Sequence, residues 1–351
     1  MNVNQPKPDV NAKAKQLITQ KENKQLVVIN THATNALHGK RTFKGKNGIA
    51  NESAFEYANG QGLLLIKDYE KQIKKFGDST LKTLNCTVHL FTKQNSLGQD
   101  IKQIKNEIEF KVRDYQKLRG LKNYKATKEQ LTNDLNLLLA SSLKYNGKSF
   151  NGKKVNTVTI GTTFISDFEI NNGNVSISFA PKFAEFLVKS GFLMLLPEKY
   201  FSMPPITSQI LCKLCFHTRI NQKRDKKRGF SITGVESLLE AVSNIPSHED
   251  VIKGNNRRVS ERIIEPLING LDECHCHTFL KWEFSNAKGK PLTSEQLEGL
   301  NRKGNIVETK SKKDKYYLKW DIFKKLYIRY TLNTPIETTA VSPTEELPPA
   351  K

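Results

Sequence analysis

Apolar residues recur with helical spacing between Phe230 and Phe284. Val235, Leu238, Leu239 and Val242 stand at i, i+3, i+4 and i+7, one stripe on a short helix. Thr233 and Glu236 lie at the spacing of a capping box in front of it. Pro246 ends that helix, and Ser247 with Asp250 predicts a brief capped turn before Gly254. A second helix is expected from near Asn256, with Val259, Ile263, Leu267 and Leu271 on one side. Its other side shows Arg257, Arg258, Glu261 and Arg262, so the arginines crowd the N-terminal end. Phe279, Lys281 and Glu283 then alternate with Leu280, Trp282 and Phe284, the period of a strand. Helix, turn, basic-tipped helix, strand is the order of a winged helix-turn-helix, whose second helix enters the DNA major groove by its N-terminal residues.

A comparable order is expected upstream, over roughly residues 79–180. Ser79 to Phe91 reads as a helix carrying Leu81, Leu84, Val88 and Phe91, and Glu107 to Val112 as a short strand. Asp114 to Gly120 is a short helix closed by glycine. Thr127 and Gln130 form a second capping box; the helix behind it points Leu131, Leu135, Leu138 and Leu139 inward and Lys128, Asn133 and Asn136 outward. Runs at Asn156–Phe164 and Val175–Ala180 read as strands around the Asn171-Asn172-Gly173 turn. Gly62 to Phe76 is a further helical candidate, Pro181 opens a helix through Leu187, and Ile206 to Ile220 is an apolar helix.

These elements predict an α+β, mainly helical chain: tandem winged helix-turn-helix domains with disordered N- and C-terminal tails. The expected divisions are a basic, mostly disordered arm over 1–52 and an N-terminal winged-helix domain over 53–191. A hinge over 192–205, a C-terminal winged-helix domain over 206–330 and a disordered tail over 331–351 follow. Leu26-Val27-Val28-Ile29 reads as a short ordered piece within the arm, either a partner-docking strand or a tail packed on the body.

Charge sharpens the picture. The 351 residues carry a formal net charge of +21, a field that attracts polyanions. The excess is clustered: Arg219, Lys223, Arg224, Lys226, Lys227 and Arg228 lie within ten residues, and Lys310, Lys312, Lys313 and Lys315 form another group. No run of eighteen apolar residues exists and the N-terminus lacks the apolar core of a signal peptide, so no membrane association and a cytoplasmic location are expected. Five cysteines in so long a chain speak for a reducing compartment.

Several segments resemble bacterial plasmid replication initiator proteins: Asp114–Asn123 (DYQKLRGLKN), Ser176–Leu187 (SISFAPKFAEFL), Val235–Val251 (VESLLEAVSNIPSHEDV) and Arg257–Glu273 (RRVSERIIEPLINGLDE). The resemblance extends over about residues 79–330 and is most specific at Glu261–Pro266. It implies two winged-helix domains that bind repeated origin sequences in double-stranded DNA and help open the duplex. It further implies recruitment of host replication proteins such as helicase or initiator, and homodimers that repress their own promoter. The Asn/Lys-rich N-terminal arm and the lysine-rich insertion after Phe284 depart from the pattern.

The residues expected to meet DNA are Lys125, Lys128, Asn133 and Asn136 in the first unit, and Asn256, Arg257, Arg258 and Arg262 in the second. Lys223, Arg224, Lys226 and Lys227 are expected to neutralise phosphate. No catalytic residue, metal or cofactor is assigned. Three other readings compete. Cys212, Cys215, Cys274 and Cys276 have zinc-ligand chemistry, but Cys212 and Cys215 fall inside an apolar helix rather than on a tight turn. His275 and His277 with Tyr316 and Lys319 match the metal and nucleophile motifs of a rolling-circle nickase, yet residues 206–271 read as helical where that enzyme needs a sheet. A winged-helix transcriptional regulator is the third. No phosphate loop is present, which disfavours ATP hydrolysis.

Overall fold

A computed structural model of the chain describes residues 25–30, 52–57, 60–66, 77–151, 154–254, 258–276, 280–293, 296 and 320–332. The described residues divide into two compact units, one within residues 25–202 and the other within residues 203–332. Each is described by itself.

The N-terminal unit begins with strand β1 (Gln25–Asn30), then β2 (Glu52–Tyr57) and β3 (Gly60–Ile66). Helix α1 (Asp78–Gln94) buries Leu81, Leu84, Val88 and Phe91 on the expected stripe. Strand β4 (Glu107–Lys111) leads directly into α2 (Val112–Leu118), and α3 (Tyr124–Ala140) follows. Strands β5 (Ser141–Asn151) and β6 (Lys154–Thr163) form a hairpin that joins β2 and β3 in an antiparallel sheet of order β2-β3-β5-β6. Strands β7 (Ile165–Asn171) and β8 (Asn174–Phe179) turn at Asn172 and Gly173, both at positive φ (49° and 81°), the backbone an Asn-Gly turn supplies. They complete a sheet of order β4-β8-β7. Helix α4 (Pro181–Ser190) starts on its proline and buries Phe183 and Leu187. The ring of Phe183 meets Phe164 edge-on at 5.1 Å, and Phe179 lies 5.0 Å from Phe91, so the core is built from aromatic contacts between helix and sheet.

Strand β9 (Phe192–Pro197) occupies ground that the sequence placed in the hinge. It pairs antiparallel with β1 and buries Met194 and Leu196 against Val28, because a run of Phe, Leu and Met has more to gain from burial than a linker does. The Leu26–Ile29 piece is thus packed on its own unit. Three other expectations change. Gly60–Ile66 is strand rather than the start of a helix, since its leucines pair with β2 and β5 and the rest of that segment lies outside the described residues. The hairpin around Asn171-Asn172-Gly173 is made by β7, while Lys154–Thr163 belongs to the other sheet. Helix α3 is capped by Asn123, whose side chain accepts from the Ala126 N–H at 3.0 Å; Thr127 is buried one turn inside.

The second unit repeats the order. Helix α5 (Pro205–Ile220) and the short basic α6 (Gln222–Arg228) precede strand β10 (Ser231–Gly234). Helices α7 (Val235–Ala241) and α8 (His248–Lys253) follow, the latter with the expected Ser247/Asp250 capping box. A single π-turn, Ser260–Ile264, runs into α9 (Glu265–Cys276). Strands β11 (Leu280–Ser285) and β12 (Tyr327–Leu332) finish a sheet of order β10-β12-β11. Thr233 is part of β10, pairing with Ile328, so the Thr233/Glu236 box is not formed and Gly234 precedes α7 without a side-chain cap.

Apart from β1–β3, the β5–β6 hairpin, α4 and β9, the first unit has the order of the second: helix, strand, helices, strand, strand, with the last strand between the other two. That is a winged helix-turn-helix twice over, α3 and the π-turn–α9 element each being the helix before the wing. Residues 1–24, 31–51, 297–319 and 333–351, which include both expected tails and the Lys310–Lys315 cluster, lie outside the described residues.

Gly270 lets α9 cross α5 closely. A Cβ there would lie 2.7 Å from Ile210 Cδ1 and 3.1 Å from Ile206 Cγ2, and Ile210 is fully buried. Gly270→Val should destabilise the second unit by about 1–3 kcal/mol, the usual cost of forcing extra methyl groups into a packed core. Chemical denaturation monitored at Trp282 and Trp320 would read the loss, and an unshifted midpoint would contradict the close crossing.

Candidate nucleic-acid interface

Helix α3 is set on α1 by a buried polar cluster. Asp134 accepts from Ser79 (2.7 Å), Thr80 (2.8 Å) and Thr83 (2.9 Å), all on α1. Thr83 also meets the Tyr115 hydroxyl at 2.7 Å, and Arg119 donates to that hydroxyl and to the Phe201 carbonyl. Burial raises the Asp134 carboxyl above its usual range, opposed by those three hydroxyl bonds. With Leu131, Leu135 and Leu138 fully buried on the same side, the opposite side of α3 is left to solvent. Lys125, Lys128, Asn133 and Asn136 are all exposed there. Lys125 with Lys128 and Asn133 with Asn136 are i, i+3 neighbours on that side.

The wing stands beside the start of α3. The Gly173 carbonyl accepts from the Val112 N–H at 2.9 Å, and a Cβ on Gly173 would lie 2.8 Å from the Tyr124 hydroxyl. Tyr124, in the first turn of α3 and 40% exposed, was passed over by the sequence reading. An exposed aromatic at a helix start was the available signal.

In the second unit Val259, Ile263, Leu267 and Leu271 are buried, and Arg258, Glu261 and Arg262 are exposed. Arg258 pairs with Glu261 at 3.2 Å on the surface, an ion pair that water and salt weaken and a competing phosphate could displace. Asn256 and Arg257 lie outside the described residues. Arg224, Lys226 and Lys227 are exposed on α6, and the side chain of Lys223 is outside the description. The structure thus holds the α3 group on one helix, Arg258 and Arg262 on another, and the α6 group on a third.

Asp225, the lone acid in the α6 run, is the buried residue that holds this basic helix down. Its Oδ2 accepts from Ser231 Oγ at 2.6 Å, tying α6 to β10. Nearby, His217 Nδ1 lies 3.0 Å from the Tyr330 hydroxyl, which Thr218 also reaches at 3.1 Å. Burial pushes the His217 imidazole down to about 4, against the pull of the Asp225 charge.

Cys212, Cys215 and Cys274 are buried on α5 and α9, the thiols of Cys215 and Cys274 pushed upward by burial, with Cys274 Sγ 3.7 Å from the Thr207 carbonyl. The side chain of Cys276 is not described, and among the described residues no three His, Cys, Asp or Glu side chains converge as for a metal. His275 lies in the last turn of α9 with Nδ1 3.1 Å from the Leu280 carbonyl, on a helix rather than a sheet; His277, Tyr316 and Lys319 lie outside the described residues. Among the described residues no helix is long and apolar enough to cross a membrane.

Residues 70–195 match the family described as Initiator Replication protein, WH1. This segment is similar to the WH1 domain of replication initiators. Among solved structures, domains 2 and 3 of RctB share 9% identity over 66% of this chain and 84% of theirs, with a TM-score of 0.40. A second structure of the same RctB domains gives 13% identity over 72% and 94%, with a TM-score of 0.36. The WH1 domain of MSBI1.176, a replication protein isolated from a multiple sclerosis patient, shares 12% over 35% and 89%, with a TM-score of 0.23. The assignment rests on the WH1 match and not on these distant likenesses. No curated protein matches the chain.

The buried His217 sets a pH dependence. Its proton affinity is lower folded than unfolded, so the stability it confers is full above about pH 6.5 and is lost as the pH falls toward about 4. Unfolding midpoints of the wild type and His217→Gln, measured from pH 7.5 to 4, should converge through that window. A constant difference between them would show that His217 titrates normally.

Proposed function

We propose that the chain initiates replication of a plasmid or related mobile element by binding double-stranded origin repeats through both winged-helix units. Binding helps open the origin and gathers host replication proteins, and the chain performs no catalysis of its own. The observation that carries the reading is the twice-built arrangement in which the helix before the wing buries one side and presents Lys, Asn or Arg on the other. The initiator WH1 match over residues 70–195 and the net charge of +21 point the same way.

The roles divide by chemistry. Arg258 and Arg262 have the planar fork that pairs with guanine O6 and N7, and Asn133 and Asn136 carry the amides that pair with adenine N6 and N7. Lys125 and Lys128 on α3, and Arg224, Lys226 and Lys227 on α6, are suited to phosphate, which fixes register without reading sequence. Asn256, Arg257 and Lys223 are assigned to the same two groups by sequence alone. A homodimer acting on the gene's own promoter is consistent with this chemistry.

Arg258→Ala and Arg262→Ala should each cost about 1–3 kcal/mol of discrimination between the origin repeat and scrambled DNA while the protein stays folded. Competition binding with both duplexes tests this, and an unchanged specificity ratio in both variants would sink the assignment. Replacing Lys223, Arg224, Lys226 and Lys227 together with Gln should flatten the slope of log K against log salt by up to about 3–4 units. Both duplexes should weaken nearly equally; a slope equal to wild type would mean that α6 never meets the backbone.

A further inference from the structure

The element that carries Arg258 and Arg262 is not a plain α-helix. Across Ser260–Ile264 it widens into a π-turn, with the Glu265 N–H reaching back five residues to the Ser260 carbonyl. On the N-terminal side the Arg262 N–H bonds the Arg258 carbonyl four residues back, at 3.0 Å, and on the C-terminal side α9 runs regularly to Cys276. One turn has therefore been given an extra residue.

Pro266 accounts for it. It lies at the second position of α9, so an unbroken α-helix would need its N–H for the Arg262 carbonyl. Proline has no N–H to give, and its ring collides with the carbonyl four residues before it. Such a helix kinks or takes up a residue, and a single π-turn is the usual form of the second outcome. Each residue of an α-helix turns the chain by about 100°, so one extra residue changes the heading of everything before it by about that much. The part that follows is fixed: Leu267 and Leu271 are fully buried, and Gly270 is seated against Ile206 and Ile210. The part that is turned holds Arg258, Glu261 and Arg262 outward while Val259 and Ile263 remain buried.

We infer that Pro266 is a positioning residue for sequence recognition: by opening the turn at Ser260–Ile264 it aims Arg258 and Arg262 at the base edges of the origin duplex. The inference rests on the proposed role of this helix in reading DNA. Pro266 touches no base in this account. It acts on specificity through the helix heading and contributes nothing to phosphate contact.

The test is Pro266→Ala in the full chain. Alanine supplies the missing N–H and removes the clash, and it replaces the poorest helix former with the best, so the fold has no reason to weaken. The affinity for the origin repeat should fall about tenfold, as when a bidentate base contact is lost. The affinity for random duplex should stay within about twofold, since phosphate contacts are spread over other elements. The melting temperature should be no lower than that of wild type. An unchanged specificity ratio would overturn the inference. So would an equal loss on both duplexes with a lower melting temperature, because Pro266 would then serve folding alone. Arg258→Ala and Arg262→Ala measured alongside separate the two levels. If they keep the ratio, the helix is not the reader; if they lose it and Pro266→Ala does not, only the role of Pro266 falls.

Discussion

Asp134 and the three α1 hydroxyls that bond to it decide which side of α3 faces water. A stripe of leucines alone would let a helix slide or roll by a few residues at little cost, since apolar contact is not directional. Hydrogen bonds to a buried carboxylate are directional, and leaving one unmade is expensive. Ser79, Thr80 and Thr83 on one helix and Asp134 on the other therefore fix rotation and register together, with Tyr115 and Arg119 extending the lock into α2. The outward side with Lys125, Lys128, Asn133 and Asn136 is the consequence. The second unit reaches the same end by shape: Gly270 admits Ile206 and Ile210 at contact distance, and Glu273 bonds Thr207 across the crossing.

Two units built on one plan, with different locks, leave different surfaces. The helix before the wing carries lysine and asparagine in the first unit and arginine in the second. The wings differ as well. The first is a tight Asn-Gly turn held by the Val112 N–H and lying close to Tyr124, while the second connects β11 to β12 through some forty residues, from Asn286 to Leu326. The surfaces so built differ: amides beside a tight turn in one unit, guanidinium groups beside a π-turn in the other.

Much of this was legible in the sequence. The stripes Leu81–Phe91 and Leu131–Leu138 fall where the 3.6-residue period places them, the residues Val259, Ile263, Leu267 and Leu271 are buried as read, and the Asn171-Asn172-Gly173 turn and the Ser247/Asp250 cap were readable from local chemistry. What failed did so because a local pattern competed with a distant partner. Thr127 and Gln130 have the capping spacing, but Asn123 begins the helix first and Thr127 is used inside it. Thr233 has the same spacing with Glu236 but is already committed to the sheet by pairing with β12, almost a hundred residues away. The leucines of Gly60–Ile66 suit helix or strand equally, and only β5 decides. The buried acids were the least visible: Asp134 looks like any helix-surface residue and Asp225 like a break in a basic run, and their roles depend on hydroxyls contributed from elsewhere. The π-turn was implicit in Pro266, since a proline within a helical stripe must bend or widen it.

In the proposed function both units read DNA. A methylation-protection and hydroxyl-radical footprint of the full chain on the DNA flanking its own gene tests it most directly. The account predicts a repeated site in which each repeat shows two separate major-groove tracts protected by one chain, the first lost when Asn133 and Asn136 are replaced and the second when Arg258 and Arg262 are. Protection confined to a single major-groove tract, unaffected by changes on α3, would contradict it and leave the first unit with a role in assembly.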